Sequence, residues 1–283
     1  MLQDQTIAFI GPGVMAEAMI AGLIRQSLIP PTSLTAAGPS PERLDELTST
    51  YGVRTTTDNA AAVHQADIVV LSVKPQRLAS VLKGLCGSIQ PHTLVLSIVA
   101  GATIKKITSG LKHPIVIRSM PNTPAQIGEG ITVWTASPAV GEAHQDMARQ
   151  ILSALGDEIY VEEETYLDMA TAVSGTGPAY VFLFMEAMID AGVHLGFPRR
   201  VAEALVTKTV RGSVDFYLKK SGPHHLAHLR NQVTSPGGTS AAALYYLEKA
   251  GFRTAISRAI WAAYERSQQL GAEAKSQPPE NNI

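Results

Sequence analysis

The 283-residue sequence predicts an α/β protein: a doubly wound parallel sheet in its first part, followed by an all-α helical part. Three observations carry that expectation. Short β-branched runs alternate with helical patterns up to about residue 162, which is how strand–helix–strand crossovers read in sequence. Beyond 162–164 the strands stop and the chain becomes Ala-rich and helical. A length of 283 residues, 45% of them hydrophobic, is enough for two cores at roughly 150 residues per domain.

The predicted strands are 6–10, 34–37, 67–73, 94–98, 115–119 and 130–135, with a short last one near 158–161, and the first helix is 14–24. Helical patterns then cover 166–172, 178–195, 199–218, 238–249 and 252–270. Pro178 and Pro198 stand where a first helical turn tolerates proline, and Gly196, Gly251 and Gly271 stand where helices close. The expected domains are 1–162, 163–275 and a disordered tail, 276–283. The stretch 178–198 is long enough to suggest a membrane span, but Glu186, Asp190 and His194 at spacing four give it one polar stripe. A buried amphipathic helix, and no membrane partner, is the expectation. Because 178–195 is apolar nearly all round, it needs neighbours on most sides. A helical part of this size provides too few, so a core shared with a second subunit follows.

Met1 to Gln5 run straight into the first strand without the features of a signal peptide. Cys86 is the single cysteine, which leaves no intrachain disulfide and is expected to be inert core. A cytoplasmic, reducing compartment is expected. Lys and Arg number 23 against 24 Asp and Glu, so there is no basic field for a phosphate backbone, and no nucleic-acid partner is expected.

Directly after the first strand comes Gly11-Pro12-Gly13-Val14-Met15-Ala16, a G-x-G-x-x-A that opens a helix. Gly11 permits the tight turn, Gly13 lets a pyrophosphate approach the backbone, and Ala16 is small enough for helix–strand packing. The helix start adds N–H groups and partial positive charge. This is a Rossmann-type dinucleotide turn in its required strand–turn–helix setting. An NAD site usually has an acid at the end of the second strand, but this sequence reads Ala36-Ala37-Gly38-Pro39-Ser40-Pro41-Glu42-Arg43. A 2′-phosphate would meet small residues, the Ser40 hydroxyl and Arg43, so NADPH is favoured and NADH is expected to serve more weakly. Installing an acid at Ala37 should swing the preference toward NADH. Glu42 fits the first turn of the next helix, where the dipole favours an acid.

Further strand ends should border the same crevice. Lys74, before Pro75, fits either a ribose or phosphate contact or a solvated loop lysine. Ala100-Gly101 follows the next strand. Met120-Pro121-Asn122-Thr123-Pro124 reads as a rigid loop suited to holding a nicotinamide face, which makes Asn122 a candidate. In the second part, Ser174-Gly175-Thr176-Gly177-Pro178 fits either a site or a close helix crossing. Thr234-Ser235-Pro236-Gly237-Gly238-Thr239-Ser240 sets backbone N–H groups and hydroxyls at a helix start, which fits either a cap or a carboxylate site.

Together these motifs resemble the pyrroline-5-carboxylate reductases. The resemblance rests on Phe9-Ile10-Gly11-x-Gly13 with Met15, Val73-Lys74-Pro75, Met120-Pro121-Asn122-Thr123-Pro124, Ser174-Gly175-x-Gly177-Pro178-Ala179-Tyr180 and, most specifically, Thr234-Ser235-Pro236-Gly237-Gly238-Thr239. It implies NADPH-dependent reduction of the C=N bond of 1-pyrroline-5-carboxylate to L-proline, the last step of proline biosynthesis. It also implies a homo-oligomer: an interlocked dimer through the helical domain, often in a ring of dimers, with sites at the dimer interface. The dinucleotide falls to Gly11, Gly13, Val14, Met15, Ser40, Asn59, Lys74, Pro75, Ala100, Gly101 and Asn122. The substrate carboxylate falls to Ser235, Gly237, Gly238, Thr239 and Ser240. Ser240 is the catalytic residue, a hydroxyl placed beside the imine nitrogen, and no metal is implied. The family commonly has Asn in place of Val14 and Thr in place of Ser240.

Two other functions share this layout. A β-hydroxyacid dehydrogenase would carry a lysine where Val181 follows Gly175-x-Gly177. A non-catalytic NADP sensor would have no use for the signature loop. Glu186, Asp190 and His194, and His224, His225 and His228, have metal-like spacing but read better as polar helix faces.

Overall fold

The computed structural model of the protein describes residues 2–220 and 225–273. The expected tail 276–283 lies outside them. The chain divides into two compact units: the residues through Gly177 together with those from Ala262 onward, and Pro178–Trp261.

The first unit is built on β1 Ile7–Ile10, α1 Val14–Arg25, β2 Leu34–Ala37, α2 Pro41–Tyr51, β3 Arg54–Thr56, α3 Asn59–His64, β4 Ile68–Leu71, α4 Pro75–Leu85, β5 Leu94–Ser97, α5 Ile104–Leu111, β6 Val116–Met120, β7 Gly130–Ala136, α6 Glu142–Ser153 and β8 Gly156–Tyr160. One eight-stranded sheet runs in the order β3-β2-β1-β4-β5-β6-β7-β8. The strands alternate their faces as a period of two requires. Ile7 and Phe9 join Met19, Ile20, Leu23, Ile151 and Leu152 on one side. Ala8 and Ile10 join Val63, Leu78, Leu82 and Ile107 on the other. Both faces are therefore covered, as parallel strands need.

Two features depart from the expectation of an all-parallel sheet with seven strands. β3 is an additional edge strand of three residues, Arg54-Thr55-Thr56, with no buried position, so it has no apolar run to announce it. β7 pairs antiparallel to β6. The connection between them holds only the 3-10 turn Thr123–Ile127, too short for a crossover helix, and a short return forces antiparallel pairing. Cys86, expected in the core, is exposed at the carboxyl end of α4.

The strands give way to α7 Tyr166–Ala170, and a single π-helical turn, Thr171–Gly175, leads on to α8 Gly177–His194. Hydroxyls of Thr171, Ser174 and Thr176 donate to the carbonyls of Leu167, Ala170 and Thr171 at 2.7, 2.9 and 2.8 Å, which satisfies the widened turn. Gly175 is a close crossing: a Cβ there would stand 2.8 Å from Met120 Cε.

The second unit continues α8 with α9 Arg199–Lys219, α10 Leu226–Gln232 and α11 Thr239–Lys249, and holds the start of α12 Phe252–Glu273. The expectation of a buried α8 is not met within the chain. None of its residues is buried, and Phe182, Leu183 and Phe184 are 61%, 66% and 43% exposed. By length and composition Tyr166–His194 could cross a membrane, yet it carries Asp190, which accepts from Arg199 at 2.8 Å. An apolar helix left uncovered by its own chain is what a core shared between subunits looks like in one of them.

Candidate active site

In the sheet unit, β1 lies between β2 and β4, where the winding reverses, and the carboxyl ends of the strands there form a crevice. The predicted residues of this part all lie at such ends. Gly11, Gly13, Val14 and Met15 follow β1, Ser40 follows β2 and Asn59 follows β3. Lys74 and Pro75 follow β4, Ala100 and Gly101 follow β5, and Asn122 follows β6.

The turn after β1 is held from several sides. Gly11 has φ +94°, and a Cβ there would stand 2.6 Å from Val73 Cγ1. Its N–H donates to the Ala37 carbonyl at 2.9 Å. Its carbonyl accepts the Ser72 hydroxyl at 2.8 Å, and the same hydroxyl lies 3.1 Å from the Ile10 carbonyl. Gly13 is the N-cap of α1 and no side chain caps it, while the space where its Cβ would lie is open to 4 Å. The amide groups of the first turn of α1 thus face room for an anion, which fits a dinucleotide pyrophosphate. Val14 is exposed, whereas Met15 packs partly against the core.

At the end of β2, Ser40 caps α2 by accepting from the Arg43 N–H at 3.4 Å, and its hydroxyl donates to Glu42 at 2.9 Å. The backbone N–H of Glu42 and this hydroxyl hold the Glu42 carboxyl below its ordinary range. Arg43, expected to be available for a 2′-phosphate, is engaged. Its Nε donates to the Pro12 carbonyl at 3.0 Å, its Nη1 to Glu46 at 2.6 Å, and its Nη2 to Glu17. Glu17 also accepts from the Tyr51 hydroxyl at 2.9 Å. The Arg43 bond holds the Glu17 carboxyl down, and Glu17 in turn raises Arg43. Arg43 therefore ties α2 to α1 and buttresses the glycine turn. Ala37 is wholly buried on the α3–α5 side of the sheet, so an acid there would probe the core rather than a cofactor.

Asn59 Oδ1 is buried without a hydrogen-bond partner among the described residues, and such an atom calls for a ligand or water. It borders a groove of about 520 Å³ that also touches Thr57, Ser80 and Val81. Lys74 is exposed at the N-cap of α4. Gly101 is buried, with α12 filling its side-chain position: Leu270 Cβ and Gly271 N would lie 3.0 Å from a Cβ there. Asn122 Oδ1 accepts the Ile131 N–H at 3.0 Å, so this residue, assigned to the cofactor, also pins the start of β7.

In the helical unit, Ser235 to Gly238 form a tight turn, with the Gly238 N–H donating to the Ser235 carbonyl at 3.0 Å. Pro236 followed by Gly237 at φ +70° is the signature of a type II turn. Gly238 is the N-cap of α11, which has no side-chain cap. Of the two roles open to this loop, capping by a hydroxyl is not realised. Thr234 instead donates to the Arg230 carbonyl at 2.7 Å, and no hydrogen bond of the Ser240 hydroxyl occurs among the described residues. Uncapped amides beside a hydroxyl unpartnered among the described residues suit a small carboxylate.

Sequence reasoning missed Glu17, which accepts from Arg43 and Tyr51 across 26 and 34 positions of chain, and no local pattern joins them. Ser72, near the end of the predicted strand 67–73, gives no local sign of its two carbonyl partners.

Compared with known proteins, residues 164–270 match the family model described as pyrroline-5-carboxylate reductase dimerisation. Residues 6–101 match that of NADP oxidoreductase, coenzyme F420-dependent. A pyrroline-5-carboxylate reductase of Synechocystis sp. is 43% identical over 94% of this chain and 98% of its own. One from Pseudomonas aeruginosa is 39% identical over 94% and 97%. Among solved structures, the Plasmodium falciparum pyrroline carboxylate reductase with NADP bound superposes with a TM-score of 0.88 at 32% identity, covering 96% of this chain and all of that one.

Proposed function

The chain belongs to the pyrroline-5-carboxylate reductase family, and on that premise we propose how its residues divide the work. The activity is reduction of 1-pyrroline-5-carboxylate to proline with NAD(P)H, in a homo-oligomer acting on a small molecule. The observation that carries the residue assignment is the uncapped start of α11 after the Ser235–Gly238 turn, with the Ser240 hydroxyl unpartnered among the described residues.

In this reading Gly11, Gly13, Val14 and Met15 hold the pyrophosphate through backbone N–H groups. Ser40 takes the adenosine ribose end, Asn59, Lys74 and Pro75 line the same side, and Ala100, Gly101 and Asn122 border the nicotinamide. When bound, the reduced cofactor supplies the hydride. The turn at Ser235, Gly237, Gly238 and Thr239 fixes the substrate carboxylate with N–H donors. Ser240 donates a hydrogen bond to the imine nitrogen, which draws electron density from the C=N carbon as the π pair moves to nitrogen. A serine hydroxyl is too weak an acid to be the proton source, so water delivers the proton that completes the amine. Orienting the carbon is the larger part of the effect. Domains 1–162 and 163–275, an interlocked dimer or ring of dimers, and a cytoplasmic location belong to the same reading.

The direct test is oxidation of NADPH and NADH by the purified chain in the presence of the imine. A higher kcat/KM for NADPH is expected, because no acid stands at the end of β2. Since Ala37 is buried, the informative substitution is Ser40→Asp, which keeps the cap and adds a charge. It should lower kcat/KM for NADPH by roughly ten- to a hundredfold and leave NADH little changed, the scale of one added repulsion near the surface. Equal use of both cofactors by the wild type would contradict the preference.

The exposed apolar α8 also predicts an assembly. Light scattering should give at least twice 30.1 kDa. A stable, active monomer at nanomolar concentration would contradict the shared core.

A further inference from the structure

Arg118 is 2% exposed in the middle of β6, a depth at which an arginine must be paired. Its Nη1 donates to Glu164 at 3.0 Å and its Nη2 to Asp168 at 2.9 Å. Neither carboxylate stops there. Glu164 Oε1 accepts the Ile104 N–H at 2.7 Å and so closes the amino end of α5. Asp168 Oδ1 accepts the hydroxyl of Ser267, a buried residue of α12, at 2.8 Å. The Ser267 carbonyl, with Leu270 and Gly271, then fills the side-chain position of Gly101 at 3.0 to 3.2 Å.

A single buried guanidinium therefore joins β6, the start of α5, α7 and α12. The segment these elements enclose is Ala100-Gly101-Ala102-Thr103, the link from β5 to α5, and Arg118 itself leads into Met120-Pro121-Asn122. Both segments border the cofactor in the reading above, on which this inference rests. A charge cluster built around a buried guanidinium is an inefficient source of stability, since apolar packing would serve as well. What it supplies is directional geometry, with Glu164 Oε1 and Asp168 Oδ1 each accepting two fixed donors.

We propose that Arg118, acting through Glu164, Asp168 and Ser267, is a positioning residue for the cofactor. It touches no reacting atom, yet it sets the 100–103 link and the 120–122 turn against the nicotinamide end of the crevice.

The experiment is NADPH titration by nicotinamide fluorescence on the full-length wild type and on Ser267→Ala, Asp168→Asn and Arg118→Lys, with kcat, both KM values and thermal midpoints measured alongside. The Kd for NADPH should rise about threefold in Ser267→Ala and tenfold or more in Arg118→Lys, whose single ammonium cannot serve both carboxylates. KM for the imine should stay within twofold. Thr93→Val is the control: it removes a buried hydroxyl that bonds the Ala66 carbonyl at the opposite end of β5, and should lower the midpoint without moving the Kd. Wild-type NADPH affinity in the folded variants, with lowered midpoints, would overturn the proposal and leave a structural cluster. If Arg118→Lys does not fold, Ser267→Ala decides alone. A wild type that binds NADPH without reducing the imine would sink the functional reading while the titrations still decide this one. A wild type that binds no NADPH overturns both.

Discussion

Replacing Ser240 by alanine should lower kcat by roughly ten- to a thousandfold, the scale for one preorganised hydrogen-bond donor in catalysis. Ser240 is the second residue of α11, and the N-cap position belongs to Gly238, so the hydroxyl is not spent on the helix. Its loss should leave the thermal midpoint nearly unchanged. Affinity for NADPH should also hold, because the proposed dinucleotide residues all lie in the sheet unit. Ser240→Thr restores the hydroxyl and adds a methyl that restricts its rotamer, so it should keep or raise activity. Measuring kcat, NADPH affinity and midpoint on both variants checks the assignment. An alanine variant with full kcat would remove Ser240 from the chemistry.

Much of this arrangement is legible in the sequence because local rules decide it. The strand at 34–37 is read to the residue, since four small or apolar residues between turn formers have one way to pack. The glycine turn is legible because G-x-G-x-x-A between a strand and a helix is a local pattern, although the Val73 contact that excludes a Cβ at Gly11 is not local. What escapes is non-local. Arg43 and Tyr51 of α2 meet at Glu17 of α1, and Arg118 meets Glu164 and Asp168 across 46 and 50 positions. A lone arginine in a strand pattern carries no sign of which acids will find it. Antiparallel β7 escapes for another reason: direction depends on the length of the connection, and Thr123–Ile127 folds into a turn rather than a crossover. Cys86 was misplaced because hydropathy puts a cysteine inside, whereas the helix ends at Leu85 and leaves it outside.

The two glycines after β1 should answer alanine in opposite ways. Gly11 has φ +94°, and a Cβ would stand 2.6 Å from Val73 Cγ1 and 3.0 Å from the backbone of Val73, at the end of β4. The left-handed conformation alone costs about 1–2 kcal/mol, and the contact with backbone cannot be relieved by a rotamer. Gly11→Ala should therefore lower the thermal midpoint by roughly 5 °C or more, on the usual relation between midpoint and stability for a chain of this size, and weaken NADPH binding with it. Gly13 sits at φ −80° and ψ −176°, extended backbone that alanine adopts freely, and its Cβ would meet nothing within 4 Å. Removing a glycine from such a position stabilises the chain by about 0.4–1 kcal/mol through the unfolded state. Yet that open space is where the pyrophosphate has to approach, so Gly13→Ala should raise the NADPH Kd roughly tenfold or more while the midpoint of the free protein holds or rises. Calorimetry and fluorescence titration on the two variants separate fold from site. If Gly13→Ala binds NADPH as the wild type does, the pyrophosphate does not lie over Gly13, and the placement of the dinucleotide has to be redrawn from the β1 turn outward.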